Sequence, residues 1–124
     1  MFKHMTDGNF AKVQPILRYF ADNEKKYPLV MIISLLYTQL CRILRFHTLR
    51  MENPTLPVEG IGKIMGGNYY FFKETVRASR FFNFPRTVRA MELLCVYDSL
   101  YKSSERGEAG DGELLQEMIC KMMA

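Results

Sequence analysis

From Leu29 to Cys41 the chain carries no charged residue, and Arg42 and Arg45 follow at once. Only Ser34, Thr38 and Gln39 interrupt the apolar run. A helix that is apolar on nearly every side has to be covered by other parts of the fold. The run is shorter than the roughly 20 residues that a bilayer-spanning helix needs. It therefore predicts a buried core helix, starting near Pro28, where a first turn tolerates proline, and ending near Met51. Its second half turns amphipathic, with Ile43, Leu44, Phe46 and Leu49 set against Arg42, Arg45 and Arg50. Asn53-Pro54-Thr55-Leu56-Pro57 stops it.

The other segments also read as helices. Thr6-Asp7-Gly8-Asn9 is a turn, with Asn9 able to cap a helix over about Phe10 to Ala21. There Phe10, Val13, Leu17 and Phe20 share a face. Pro15 conflicts with an interior position, so that helix either starts nearer Lys12 or bends. A short helix over about Val58 to Met65 is weakened by Gly60 and Gly62. Gly66-Gly67 ends it, and Asn68 can cap the next, over about Tyr69 to Phe81. A further helix runs from near Pro85 to about Ser103, with Val88, Met91, Leu94, Cys95 and Leu100 facing inward. A charged loop from Ser104 to Gly110 follows. Asp111 is positioned to cap a closing helix, and Glu113 and Lys121 suit the two ends of its dipole. No segment alternates as a strand. The expectation is an all-α fold, a single compact bundle of about six helices in one domain over residues 1–124.

Nine Met, nine Phe and seven Tyr, with no Trp, suit an ordered core of adaptable fillers. Cys41, Cys95 and Cys120 form neither a CxxC pair nor a disulfide framework, and read as buried, reduced thiols of a cytoplasmic protein. The first residues offer no apolar leader core.

Catalytic chemistry finds no support in these residues. His4 and His47 are the only histidines, and His47 has no carboxylate near it in sequence, so it reads as a packing residue. The acidic residues are dispersed, with no ExxH, HExxH or DxD arrangement. Gly60-Ile61-Gly62 followed by Gly66-Gly67 is neither a dinucleotide fingerprint nor a phosphate loop. No catalytic residue, metal ligand or cofactor site is expected, and the chain is not read as an enzyme.

The segments around Gly66-Gly67 imitate a helix-turn-helix. A reader of base edges, however, needs polar residues where Tyr69, Tyr70, Phe71 and Phe72 stand. Sequence-independent contact with phosphates is the more natural nucleic-acid reading. Lys73, Arg77 and Arg80 share one side of their helix, and Arg86 and Arg89 share one side of the next. Against it stands the simpler account of a solvated face with ion pairs. The net charge of +4 does not decide between them. Asp98 and Lys102 are spaced for an exposed ion pair.

In order, the pieces resemble the C-terminal collar domain of the delta-subunit family of the bacterial DNA polymerase III clamp loader. The resemblance rests on Leu17-Arg18-Tyr19-Phe20-Ala21-Asp22-Asn23, a break and Pro28-Leu29-Val30. It continues with Ile61-Gly62-Lys63-Ile64-Met65-Gly66 and the aromatic-basic stretch Tyr70 to Arg80. It closes with Asp98 to Lys102-Ser103 and Asp111-Gly112-Glu113-Leu114-Leu115. Gly66-Gly67 and Pro15 depart from the pattern. The resemblance implies a non-catalytic assembly domain, with the family's N-terminal clamp-binding and ATPase-like domains absent. Its implied partners are the clamp-loader ATPase subunits and delta-prime, met through the collar. The sliding clamp would be reached only through the absent front part, and no membrane is involved. Tyr69, Tyr70, Met118, Met122 and Met123 are the expected partner contacts. Lys73, Arg77, Arg80, Arg86 and Arg89 are the expected phosphate contacts, should the chain instead be a stand-alone helical nucleic-acid-binding domain.

Overall fold

The computed structural model describes residues 1–103 and 110–124, so the charged loop expected after Ser103 falls, over residues 104–109, outside the described residues. Seven helices are present among the described residues, and no strand. They are α1 (Phe2–Thr6), α2 (Phe10–Asp22), α3 (Leu29–Glu52), α4 (Val58–Met65), α5 (Tyr69–Phe81), α6 (Phe84–Lys102) and α7 (Asp111–Met123).

α3 is the spine. Leu29, Ile32, Ile33, Leu36, Leu40, Ile43 and Phe46 recur every three or four residues and are all buried. Around it pack α6 along its length, α5 and α4 towards its end, and α7 more lightly. α2 and α7 close the bundle through Val13 and Leu17 on one side and Leu114, Leu115, Met118, Ile119 and Met122 on the other. His47 meets Phe84 at one end of the α3–α6 pair, while Tyr37 lies beside Cys95 at the other, so the two helices run antiparallel. The inner stripe of α6 is Thr87, Ala90, Leu94 and Tyr97. Cys95, expected inside, is exposed, and all three cysteines are free thiols.

By length and composition α3 could cross a membrane. Here its inward stripe is spent on the bundle core instead. The expectation that its first half is covered all round is corrected, because Val30, Met31, Leu35 and Tyr37 stay exposed.

Local rules place most boundaries. Asn9 accepts from the Lys12 amide at 3.2 Å and Asn68 from the Tyr70 amide at 2.7 Å. Asn83 accepts from the Arg86 amide at 3.0 Å, so α6 opens at Phe84. Gly66 and Gly67 take φ of 71° and 82°, the left-handed region that glycine enters without a Cβ penalty. α2 starts at Phe10 with Pro15 inside it. Pro15 and Ala11, whose carbonyl loses its donor, are both exposed, so water can serve that carbonyl.

Two features are tertiary in origin. α1 has only five residues, too few to be stable alone. Burial of Met5 and a Phe2–Phe82 stack at 6.2 Å hold it against the bundle. The N-cap of α7 is Gly110 rather than Asp111. The Glu24 carboxylate, remote in sequence but just past the end of the neighbouring α2, accepts from the Gly112 amide at 2.9 Å. A negative group there also suits the helix dipole.

That contact needs α2 and α7 to touch closely. A Cβ on Gly112 would sit 2.5 Å from the Ala21 Cβ and 2.8 Å from its Cα. Gly112→Val is expected to cost about 2 kcal/mol or more through overpacking, read as a lower denaturation midpoint at unchanged slope. Ala21→Gly in the same chain should recover part of the loss. Equal midpoints for Gly112→Val and the native chain would contradict this packing.

Candidate interaction surfaces

The expected contact residues separate into three groups once placed on the fold. Met118 and Met122 are fully buried between α7 and its neighbours. Their stripe is the chain's own core, so the expectation that they face a partner is corrected. Met123 is half-buried and packs against the same core. Tyr69 and Tyr70 do stand out at the start of α5, with 71% and 64% of their surface in solvent.

The five candidate phosphate contacts divide as well. Arg77 is taken up by its own fold. It pairs with Asp7, donates to Glu74 Oε2 at 3.0 and 3.2 Å, and donates to Thr6 Oγ1 at 3.2 Å. It thus pins the end of α1 to α5. Arg86 donates to the Met122 carbonyl at 3.3 Å and the Ala124 carbonyl at 2.8 Å, and lies 4.2 Å from the Phe81 ring centre. It neutralises the C-terminal end of α7, where a cation is favoured. Both arginines therefore have structural partners within the fold. Lys73, Arg80 and Arg89 are exposed. Lys73 sits 5.7 Å from the Tyr69 ring centre. The expected Asp98–Lys102 pair is formed at 3.1 Å.

His47 is a packing residue, as its surroundings in the sequence suggest. Its Nε2 lies 2.7 Å from the Phe82 carbonyl at the α5–α6 corner. A carbonyl only accepts, so the ring carries its proton on Nε2. Thr87 Oγ1 donates to the same carbonyl at 2.9 Å.

Two surfaces escaped the sequence reading. The first is the outer side of the front half of α3. Val30, Met31, Leu35 and Tyr37 are 41–59% exposed, and Ser34 and Thr38 lie among them. Ser34 and Thr38 return their hydroxyls to the carbonyls of Val30 and Ser34, so they offer little polarity outward. The Cys41 thiol, hydrogen-bonded to the Tyr37 phenol, raises its pKa above the ordinary value, with a smaller push from Cys95. The phenol stays neutral through the physiological range. Beside this face, Met31 and Leu35 continue into a groove with Met1, Phe2, Phe20 and Tyr27. The result is a broad apolar surface with no charged side chain between Leu29 and Cys41.

The second surface lies where α3 faces the α4–α5 turn. Arg42 and Arg45 line a groove of about 390 Å3 with Gly66, Gly67, Asn68 and Phe71. Its signal in the sequence was Arg42 and Arg45, but only the fold brings them to the aromatic start of α5.

Among the described residues no group of three or more His, Cys, Asp and Glu side chains is arranged to hold a metal ion. Compared with protein-family models, curated proteins and solved structures, the chain gives no match.

Proposed function

We propose that this chain is an assembly domain, the collar domain of a delta-type subunit of the bacterial DNA polymerase III clamp loader. In this reading it performs no catalysis and needs no cofactor. It holds its subunit in a cytoplasmic pentamer by packing against the helical domains of the ATPase subunits and delta-prime. The sliding clamp is met elsewhere in the full subunit.

One observation carries the proposal: the uncharged apolar face on the front half of α3. Burial of large apolar side chains is the main favourable term in association, and stable interfaces are depleted of charge at their centre. Val30, Met31, Leu35 and Tyr37 retain enough wet surface for each to contribute roughly 1 kcal/mol when covered. The face sits on the bundle's most heavily packed helix, so it is presented rigidly and at low entropic cost. The order of the sequence pieces resembling the delta family supplies the choice of partner.

The test is light scattering on a sizing column, with this chain alone and then mixed with the C-terminal domains of the ATPase and delta-prime subunits from the same genome. A mixed complex whose mass holds as salt rises is the expected result, since an apolar interface is barely screened. Three separate monomers eluting from the mixture would refute the assignment.

A further inference from the structure

We propose that the groove between α3 and the α4–α5 turn binds single-stranded DNA without sequence preference. The groove borders the apolar face of α3 at Thr38 and Cys41, and the proposal does not depend on the collar assignment.

Three properties of the groove converge on that ligand. The first is charge. Arg42 and Arg45 line it, and no carboxylate does. Lys73 stands exposed one turn into α5. Two adjoining grooves do include a carboxylate. One of about 230 Å3, sharing Arg42 and Phe71, has Glu74. Another, sharing Gly66, Gly67 and Asn68, has Glu59 together with Lys63. Arg77 holds the Glu74 carboxylate at 3.0 Å while also pairing with Asp7, so it offsets part of that charge. Arg45 lies 3.5 Å from the carbonyls of Ile64 and Met65 at the end of α4, long contacts that leave donors free for an anion.

The second property is the set of exposed rings at and around it. Phe71 lines the groove itself, Tyr70 the adjoining groove with Glu74, and Tyr69 a third groove on the far side of the Gly66-Gly67 turn. Tyr69, Tyr70 and Phe71 are successive and all more than half exposed. Phe72 alone turns inward, against Phe46. Large exposed apolar groups mark a binding surface. Here they are flat rings interleaved with cations, with Arg42 5.7 Å from the Phe71 ring centre and Lys73 5.7 Å from that of Tyr69. Unpaired bases stack on such rings whatever their identity, while nearby cations track the phosphates. Bases in a duplex have their faces covered, so the rings favour a single strand.

The third is shape. Gly66 and Gly67 have no atoms within 4 Å of where a Cβ would lie, so the turn leaves the groove mouth open. The groove's size falls in the range of roughly 300–1,000 Å3 usual for ligand clefts.

The experiment is fluorescence anisotropy of labelled (dT)20 with the full chain at low salt. Binding is expected to weaken with salt, with a log–log slope of about −2 for three neutralised phosphates at roughly 0.7 each. A duplex of the same length should bind more weakly. Tyr69→Ala with Tyr70→Ala should weaken binding by about tenfold or more and leave the slope unchanged. Arg42→Gln with Arg45→Gln should lower the slope by about 1.4. Arg45 also touches α4, so a thermal melt of each variant accompanies the titrations. The tyrosine pair, at exposed positions, tests the site independently of folding. Arg80→Gln with Arg89→Gln, on the outer faces of α5 and α6, should bind like the native chain. No binding of (dT)20, equal affinity for the duplex, or loss in the Arg80 and Arg89 variant with none in the groove variants would each overturn the proposal.

Discussion

Phe46→Ala should lower the stability of the folded chain by about 3–5 kcal/mol, the usual cost of emptying a buried phenylalanine site. Phe46 is fully buried. Its ring meets Phe72 edge-on at 5.8 Å, and Arg50 covers it at 5.6 Å. The neighbourhood is a satellite of the main core. Ile61 is the buried residue of α4. Phe72 packs so close to Gly62 that a Cβ there would lie 2.9 Å from the ring. Phe46 thus anchors the start of α5 directly and, through Phe72 against Gly62, supports α4. A domain of this size has on the order of 5–15 kcal/mol of stability in total. The loss should therefore appear as a fall in Tm on the order of 10 °C or more. Tyr69→Ala, removing an equally large but exposed ring, should stay within about 0.5 kcal/mol of the native chain. Similar Tm values for native and Phe46→Ala proteins would mean that α4 and α5 are held by something else.

The helical class and most boundaries were legible because they depend on neighbours in sequence. Asn9 and Asn68 cap where their positions suggested, and Gly66-Gly67 turns where two left-handed residues are needed. α1 was not legible, because five residues give no periodicity and its stability comes from Phe82 across the fold. Nor was the treatment of the start of α7. Asp111 had the right chemistry for a cap, yet Glu24, far away in sequence at the end of the neighbouring α2, reaches the Gly112 amide.

The same distinction governs the surfaces. Periodicity marked Met118 and Met122 as an apolar stripe but could not say whether this chain covers it. The burial of both between α7 and its neighbours supplies the answer. Helical spacing placed Arg77 and Arg86 on basic faces, but besides Glu74, one turn before Arg77, their partners are Asp7 and the last carbonyls of α7, remote in sequence. Conversely, an all-round apolar α3 suggested complete burial. The described helices cover only part of it, and what they leave uncovered is the face on which the assembly proposal rests.

That face gives the second large expected effect. Leu35→Asp with Tyr37→Asp puts two carboxylates at the middle of the proposed interface. Both positions are more than half exposed, so the isolated chain should keep its fold and lose little stability. In an assembly each carboxylate would be taken out of water without a partner, which costs several kcal/mol per ion. Together they should abolish a complex held mainly by apolar contact. The direct measurement is the light-scattering mass of the variant and of the native chain, each mixed with the ATPase and delta-prime C-terminal domains. The account predicts a mixed complex with the native chain and only separate components with the variant, whose circular dichroism matches the native. A variant that assembles as well as the native chain would contradict the claim that this face of α3 is where the protein joins its partners.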